Sequence, residues 1–305
     1  MNVAIHRAFR CIAVIALTGP GVLAAQTRVD HRRAVTANAS IRVTGSFASI
    51  RIVGWDRDTL AITGTVPTGA WIDGNVNEGG APAPGVKMFL AGATESAAPT
   101  AAIEMHVPAR ARIWAKGSTT AIVVSGVTGG LDLNVVGGSV RVTGNPHELN
   151  VESMDGTVTV IGSPDWMRLK SATGDVTVNG GSADAAISSI SGTVTVIGGR
   201  FERGKFETVT GPLLFGGDPA PTGSLDFNTH SGAIEIYAPK FQGEIDAATM
   251  TGTIENGLTS RPAVASRDGR GQEIGLSVGS GPRYYIRSFK GKILLKSSFP
   301  PKKKL

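Results

Sequence analysis

The sequence predicts an all-β protein: a single-stranded β-helix, or β-solenoid, with two short strands per coil of 18 to 21 residues and an N-terminal β cap. Three observations lead there. Gly138-Ser-Val-Arg-Val-Thr-Gly144 returns as Gly156-Thr-Val-Thr-Val-Ile-Gly162, Gly174-Asp-Val-Thr-Val-Asn-Gly180 and Gly192-Thr-Val-Thr-Val-Ile-Gly198, at strict steps of 18 residues. Within each unit apolar and polar residues alternate, the period of strands with one buried face. The composition agrees: 41 Gly in 305 residues, 41% apolar and only 18% charged, favours short strands and tight turns over helices.

In chain order, residues 1–25 read as a secretory signal peptide. Arg7 and Arg10 precede an apolar stretch from Cys11, and small residues close it at Ala24 and Ala25. About 14 apolar residues broken by Gly19-Pro20-Gly21 are too few for a membrane span, which needs ~20. The mature chain is therefore expected to carry no transmembrane segment. Cys11 is the only cysteine, so the processed chain would have neither a disulfide nor a thiolate metal site. Processing would leave 28 basic and 24 acidic residues, a net charge of +4. Part of that excess lies in His31-Arg32-Arg33 and in Lys302-Lys303-Lys304, which read as solvated ends, so no nucleic-acid partner is expected.

Residues 26–37 are read as a flexible segment and 38–111 as the β cap, with strands at Ile41, Ile50, Leu60 and Ile103 and loops at Gly79–Gly85 and Gly92–Pro99. The alternative is a separate N-terminal domain. Residues 112–297 are read as the repeats. Counted from the first Gly of each unit, the inward positions two later are Val140, Val158, Val176, Val194, Leu213, Ile234 and Ile254. Those five before it are Leu133, Val151, Leu169, Ile187, Phe206, Phe227 and Ala247. Stacking about 4.8 Å apart would join each set into a ladder. Gly252 and Gly291, 39 residues apart, allow two further coils, so one unbroken stack would reach Ser297, before a basic tail at 298–305. The repeated Gly is expected to supply positive φ in its turn.

These repeats resemble the bacterial putative-adhesin family of β-strand repeats. The resemblance is carried by Ser49-Ile-Arg-Ile-Val-Gly-Trp-Asp-Arg-Asp-Thr-Leu, by Met105-His-Val-Pro-Ala-Arg-Ala, by the Gly-x-Val-x-Val units and by Tyr285-Ile-Arg-Ser-Phe-Lys-Gly-Lys-Ile. It implies an exported, extracytoplasmic protein of the cell envelope and brings no catalytic residue. Adhesion itself is suggested only by the family's name.

The residues offer two kinds of candidate. Asp226 with Asp246, and Glu235 with Glu255, share outward offsets one coil apart, so each pair is expected about 5 Å apart with no tight basic partner. Such pairs suit a glycosidase or bind a cation; the alternative is that they are solvated rows. Trp114 on the first coil, Trp166 in a turn and Tyr285 suit sugar stacking or a protein partner. His31, His106, His147 and His230 share no metal-ligand spacing, and no cofactor motif stands out. Strand segments of four or five residues are too short for an outer-membrane barrel. The reading is thus a non-enzymatic adhesin-like surface at the periplasm, cell surface or beyond, with an unidentified protein or glycan partner; the alternative is a carbohydrate-active enzyme on the same scaffold.

Overall fold

A computed structural model describes residues 26–92, 100–267 and 269–299. The expected signal peptide and nearly all of the basic tail lie outside the described residues. The N-terminal strands are β1 (Gln26–Thr44), β2 (Ser49–Trp55), β3 (Thr59–Pro67), β4 (Trp71–Gly74), β5 (Ala83–Ala91) and β6 (Ala102–Pro108). The repeats supply β7 (Arg112–Ser125), β8 (Gly130–Thr143), β9 (Glu148–Ser153), β10 (Thr157–Ile161), β11 (Trp166–Ser171), β12 (Val176–Asn179), β13 (Ser182–Ser189) and β14 (Val194–Thr208). There follow β15 (Leu213–Thr229), β16 (Ile234–Tyr237), β17 (Gly243–Thr249), β18 (Ile254–Asn256), β19 (Val264–Ala265), β20 (Gln272–Val278), β21 (Arg283–Ser288) and β22 (Ile293–Lys296).

The all-β class holds, but the open β-helix does not. Seven strands pair in parallel around a closed circuit, β8–β10–β12–β14–β13–β11–β9 and back to β8. The fold is thus a seven-strand parallel barrel with further strands outside it, not a solenoid. The physical reason lies in β8 and β14. Both run on through Gly-Gly corners, Gly137-Gly138 and Gly198-Gly199, where the sequence suggests a break between two strands. Each therefore serves both rows, and the two rows close on one another.

The register within the rows is the expected one. Val140, Val158, Val176 and Val194 are direct parallel neighbours, as are Leu149, Met167 and Ala185. All are buried in one apolar cluster. Toward the C-terminal end the ladder turns aromatic: Phe206 lies 5.2 Å from Phe215 and 5.0 Å from Phe227, ring centroid to centroid. These rings fill the volume that valines leave to their neighbours elsewhere, so this end gains more apolar burial per residue.

Two other expectations need correction. Residues 26–37 are not a free segment but the start of β1, antiparallel to β3 from Gln26 to Ala34. Nor is the stack sequential to its end. β21 lies between β15 and β17, and β22 between β16 and β18, so the Gly291 unit inserts between those of Gly232 and Gly252. The second coil expected after Gly252 is instead a hairpin edge, with β20 antiparallel to β17 and to β19.

The role of the repeated Gly also differs. Of the first Gly residues in the units only Gly138 has positive φ, at 96°. The positive angles fall on the second Gly, with 128° at Gly144 and 144° at Gly162. At Gly174, Gly192 and Gly211 a Cβ would strike the carbonyl oxygen of the Gly one unit earlier. Close backbone approach across the ladder, not backbone handedness, excludes side chains there.

Candidate functional site

Because outward residues also stack in register, one side of the molecule carries a continuous row. Arg42, Trp114, Asp132, Asn150 and Arg168 are successive neighbours on β1, β7, β8, β9 and β11. The row continues through Lys205 and Asp226 to Tyr285 and Asp246. At about 4.8 Å per strand it runs for about 43 Å.

At its N-terminal end this face holds a shallow groove of about 440 Å³, lined by both Trp114 and Trp166 with Asp132, Glu148, Asn150 and Arg168. The guanidinium of Arg42 sits over the Trp114 ring at 4.9 Å. Trp166 is 39% exposed, its ring free to meet a ligand. Asp132 is fixed by its neighbours: Asn134 donates to its Oδ1 at 2.6 Å and Asn150 at 3.3 Å. Arg112 donates to Glu148 at 2.8 Å. Arg168 is exposed and forms no ion pair among the described residues. Two aromatic rings separated by about three strand spacings, or about 14 Å, with amide, carboxylate and guanidinium groups between them, match the alternating apolar faces and hydroxyls of a sugar chain.

The acidic pairs do not come together. Tyr285 stands between Asp226 and Asp246, and Leu294 between Glu235 and Glu255. Each pair is separated by two strand spacings, about 10 Å, not about 5 Å. Basic partners, absent from the expectation, are present: Arg287 donates to Asp246 at 2.7 Å and Lys292 to Glu255 at 2.5 Å. Asp226 accepts from Asn228 at 2.7 Å. Glu235 receives Lys296 at 2.6 Å and the Tyr237 hydroxyl at 2.5 Å. Partial burial pushes the Glu235 carboxyl up, but those two hydrogen bonds outweigh it and hold it below the usual range. Lys296 is raised, first by its bond to Glu235. Ion pairs of this kind neutralise the acids without poising one to donate and another to attack.

Tyr285 is 38% exposed and lines a second groove of about 360 Å³ with Asp246, Glu244, Arg261 and Arg283. Thus all three aromatic candidates lie on the same outward face, Trp114 and Trp166 near one end and Tyr285 near the other. The histidines are scattered: His106 accepts or donates a bond to Glu104 at 2.7 Å, His147 bonds Asp165 at 2.8 Å, and His230 stacks on Phe289 at 4.9 Å. Among the described residues no three metal-ligating side chains converge.

No protein-family model matches this chain, and no curated protein matches it. Solved structures with a similar course include a putative adhesin of Bacteroides fragilis, 13% identical over 90% of this chain and 100% of that one, with a TM-score of 0.42. A putative lipid binding protein of Parabacteroides distasonis is 12% identical over 89% and 95%, with a TM-score of 0.39. A putative cell adhesion protein of Clostridium sporogenes is 10% identical over 88% and 99%, with a TM-score of 0.21.

Sequence reasoning placed Trp114 and Trp166 on the surface but did not bring them into one groove, nor did it find Arg42 and Arg168 beside them. The signal was available: Trp114, Asp132, Asn150 and Arg168 are spaced by 18 residues each. Only Arg42, in the irregular N-terminal part, lacks it.

Proposed function

We propose that this protein is a non-enzymatic, exported binding scaffold of the cell envelope whose ligand is a glycan held along the Trp114–Trp166 groove. The observation that carries this reading is the shared groove itself, with exposed Trp166 at one end, half-buried Trp114 under the Arg42 guanidinium at the other, and polar groups between. A pyranose ring offers an apolar face to Trp166 and hydroxyls to Asp132, Asn150 and Arg168, and the open row beyond accommodates a longer chain. Separation of the two acidic pairs, and the ion pairs that hold Asp246, Glu235 and Glu255, favour binding over cleavage. Export is supported by the arginine-flanked apolar start and the small residues before Gln26.

The test is titration of the purified protein with envelope and extracellular polysaccharide fragments, in parallel with a reducing-end assay. Trp166→Ala is expected to weaken binding roughly tenfold, the loss of one aromatic platform. Binding by none of the fragments would remove the reading. Turnover that disappears in Asp246→Asn or Glu255→Gln would replace it with a carbohydrate-active enzyme.

A further inference from the structure

The corner of the repeat, two residues before each first Gly, carries large apolar side chains that face solvent. Val136, Met154, Ile190, Val209, Phe289 and Met250 are each between 44% and 56% exposed. The intervening places of this stripe are taken by Ala172 and by His230, whose ring stacks on Phe289. Eight places at about 4.8 Å make an apolar edge about 34 Å long. Soluble surfaces seldom leave so much apolar area contiguous without a partner.

From this edge we infer that two copies of the chain associate through their stripes, antiparallel, about a two-fold axis between Ile190 and Val209. Such an axis sets each flanking row against itself in reverse order. The row two residues from the stripe starts with Lys116, passes Glu152, Lys170, Glu207 and Arg287, and ends beyond Ala248 at Glu273. Reversed upon itself, it faces Lys116 with Glu273 of the other copy and Glu152 with Arg287, and it opposes no like charges. Lys116 and Glu273, at the two ends, have no ion pair within the chain among the described residues. The same operation brings a groove of about 390 Å³ beside Met154 and Lys170 over one of about 510 Å³ beside Met250 and Phe289. A lipid surface would not select this sign pattern, since basic and acidic residues alternate along it.

Sedimentation equilibrium at micromolar concentration is expected to give twice the 31.4 kDa chain mass, less any leader removed. Ile190→Glu, beside the axis, is expected to give monomer with an unchanged circular dichroism spectrum. Lys116→Glu opposes two acids twice and is expected to weaken the dimer roughly tenfold, and adding Glu273→Lys is expected to restore it. A wild-type chain that stays monomeric overturns the inference. So does a double variant that stays as weak as Lys116→Glu, or a chain that floats with anionic vesicles while remaining monomeric without them. None of these readouts depends on glycan binding.

Discussion

The first four repeat units and the last four are built from the same apolar pattern, yet they assemble by different rules. From Gly138 to Gly192 the step is 18 residues and each unit lies beside its neighbour in the chain. From Gly192 to Gly252 the steps are 19 to 21, the step to Gly291 is 39, and that last unit slides between its two predecessors. In the regular half valine ladders pack identical volumes, whereas in the irregular half Phe201, Phe206, Phe215 and Phe227 pack as a cluster. The difference teaches that a strict period carries spatial order, and a loose one leaves order to the packing.

The sharpest way to break the regular half is Val176→Asp. Val176 is fully buried between Val158 and Val194, so a carboxylate there loses water without gaining a partner, at about 4 kcal/mol or more. Thr177→Asp, facing outward, is expected to stay within about 0.5 kcal/mol of the parent. Equal denaturant midpoints for the two variants would refute the register. In the irregular half Phe206→Ala is expected to cost about 3 to 5 kcal/mol, because its ring touches Phe201, Phe215 and Phe227 at once. Thermal melts of Phe206→Ala and Val178→Ala side by side rank the two cores, and a smaller loss at Phe206 would show that the aromatic cluster relaxes.

Insertion of the last unit can be read by cross-linking. With Cys11 replaced by Ser, cysteines at the positions of Tyr285 and Asp246 are direct neighbours and are expected to oxidise to a disulfide. Cysteines replacing Asp226 and Asp246 stand about 10 Å apart and are expected to stay reduced. The opposite result would restore the sequential order. The smallest effect belongs to Glu235, Lys296 and Tyr237, which join the inserted strand to its neighbour. The carboxyl of Glu235 is lowered in the fold, so its contribution is present above its ordinary value of 4.5 and is lost as pH falls through the folded value. Lys296 is raised above 10.5, so its share is present below that pH and fades above it. Both side chains are partly solvated, and the pair contributes at most about 1 kcal/mol. Glu235→Gln is expected to flatten the acid limb of melting temperature against pH; an unchanged limb would assign acid sensitivity elsewhere.

Much of the candidate site was within reach of the register. Trp114, Asp132, Asn150 and Arg168 repeat at one offset, and the apolar corner of Val136, Met154 and Ile190 repeats at another. That corner lies between the inward row and the hydroxyl residues beside each Gly, at the same spacing. Arg42 could not be placed, because its neighbour Trp114 is 72 positions further along and β3 to β6 intervene between them.

The sequence alone determined the strand class, the facing of nearly every repeat residue and the in-register valine ladders. Period-two alternation is a local property, and equal spacing makes equal partners. Tertiary structure alone decided that β8 and β14 bend through their glycine corners to close a barrel, that Tyr285 and Leu294 separate the acidic pairs, and that residues 26–34 pair with β3. Parallel pairing depends on which compatible edge is free when a strand arrives. Backbone groups along these ladders are chemically alike, so the choice rests on loop lengths and on the packing of Phe206, Phe227 and Tyr284 in the shared core.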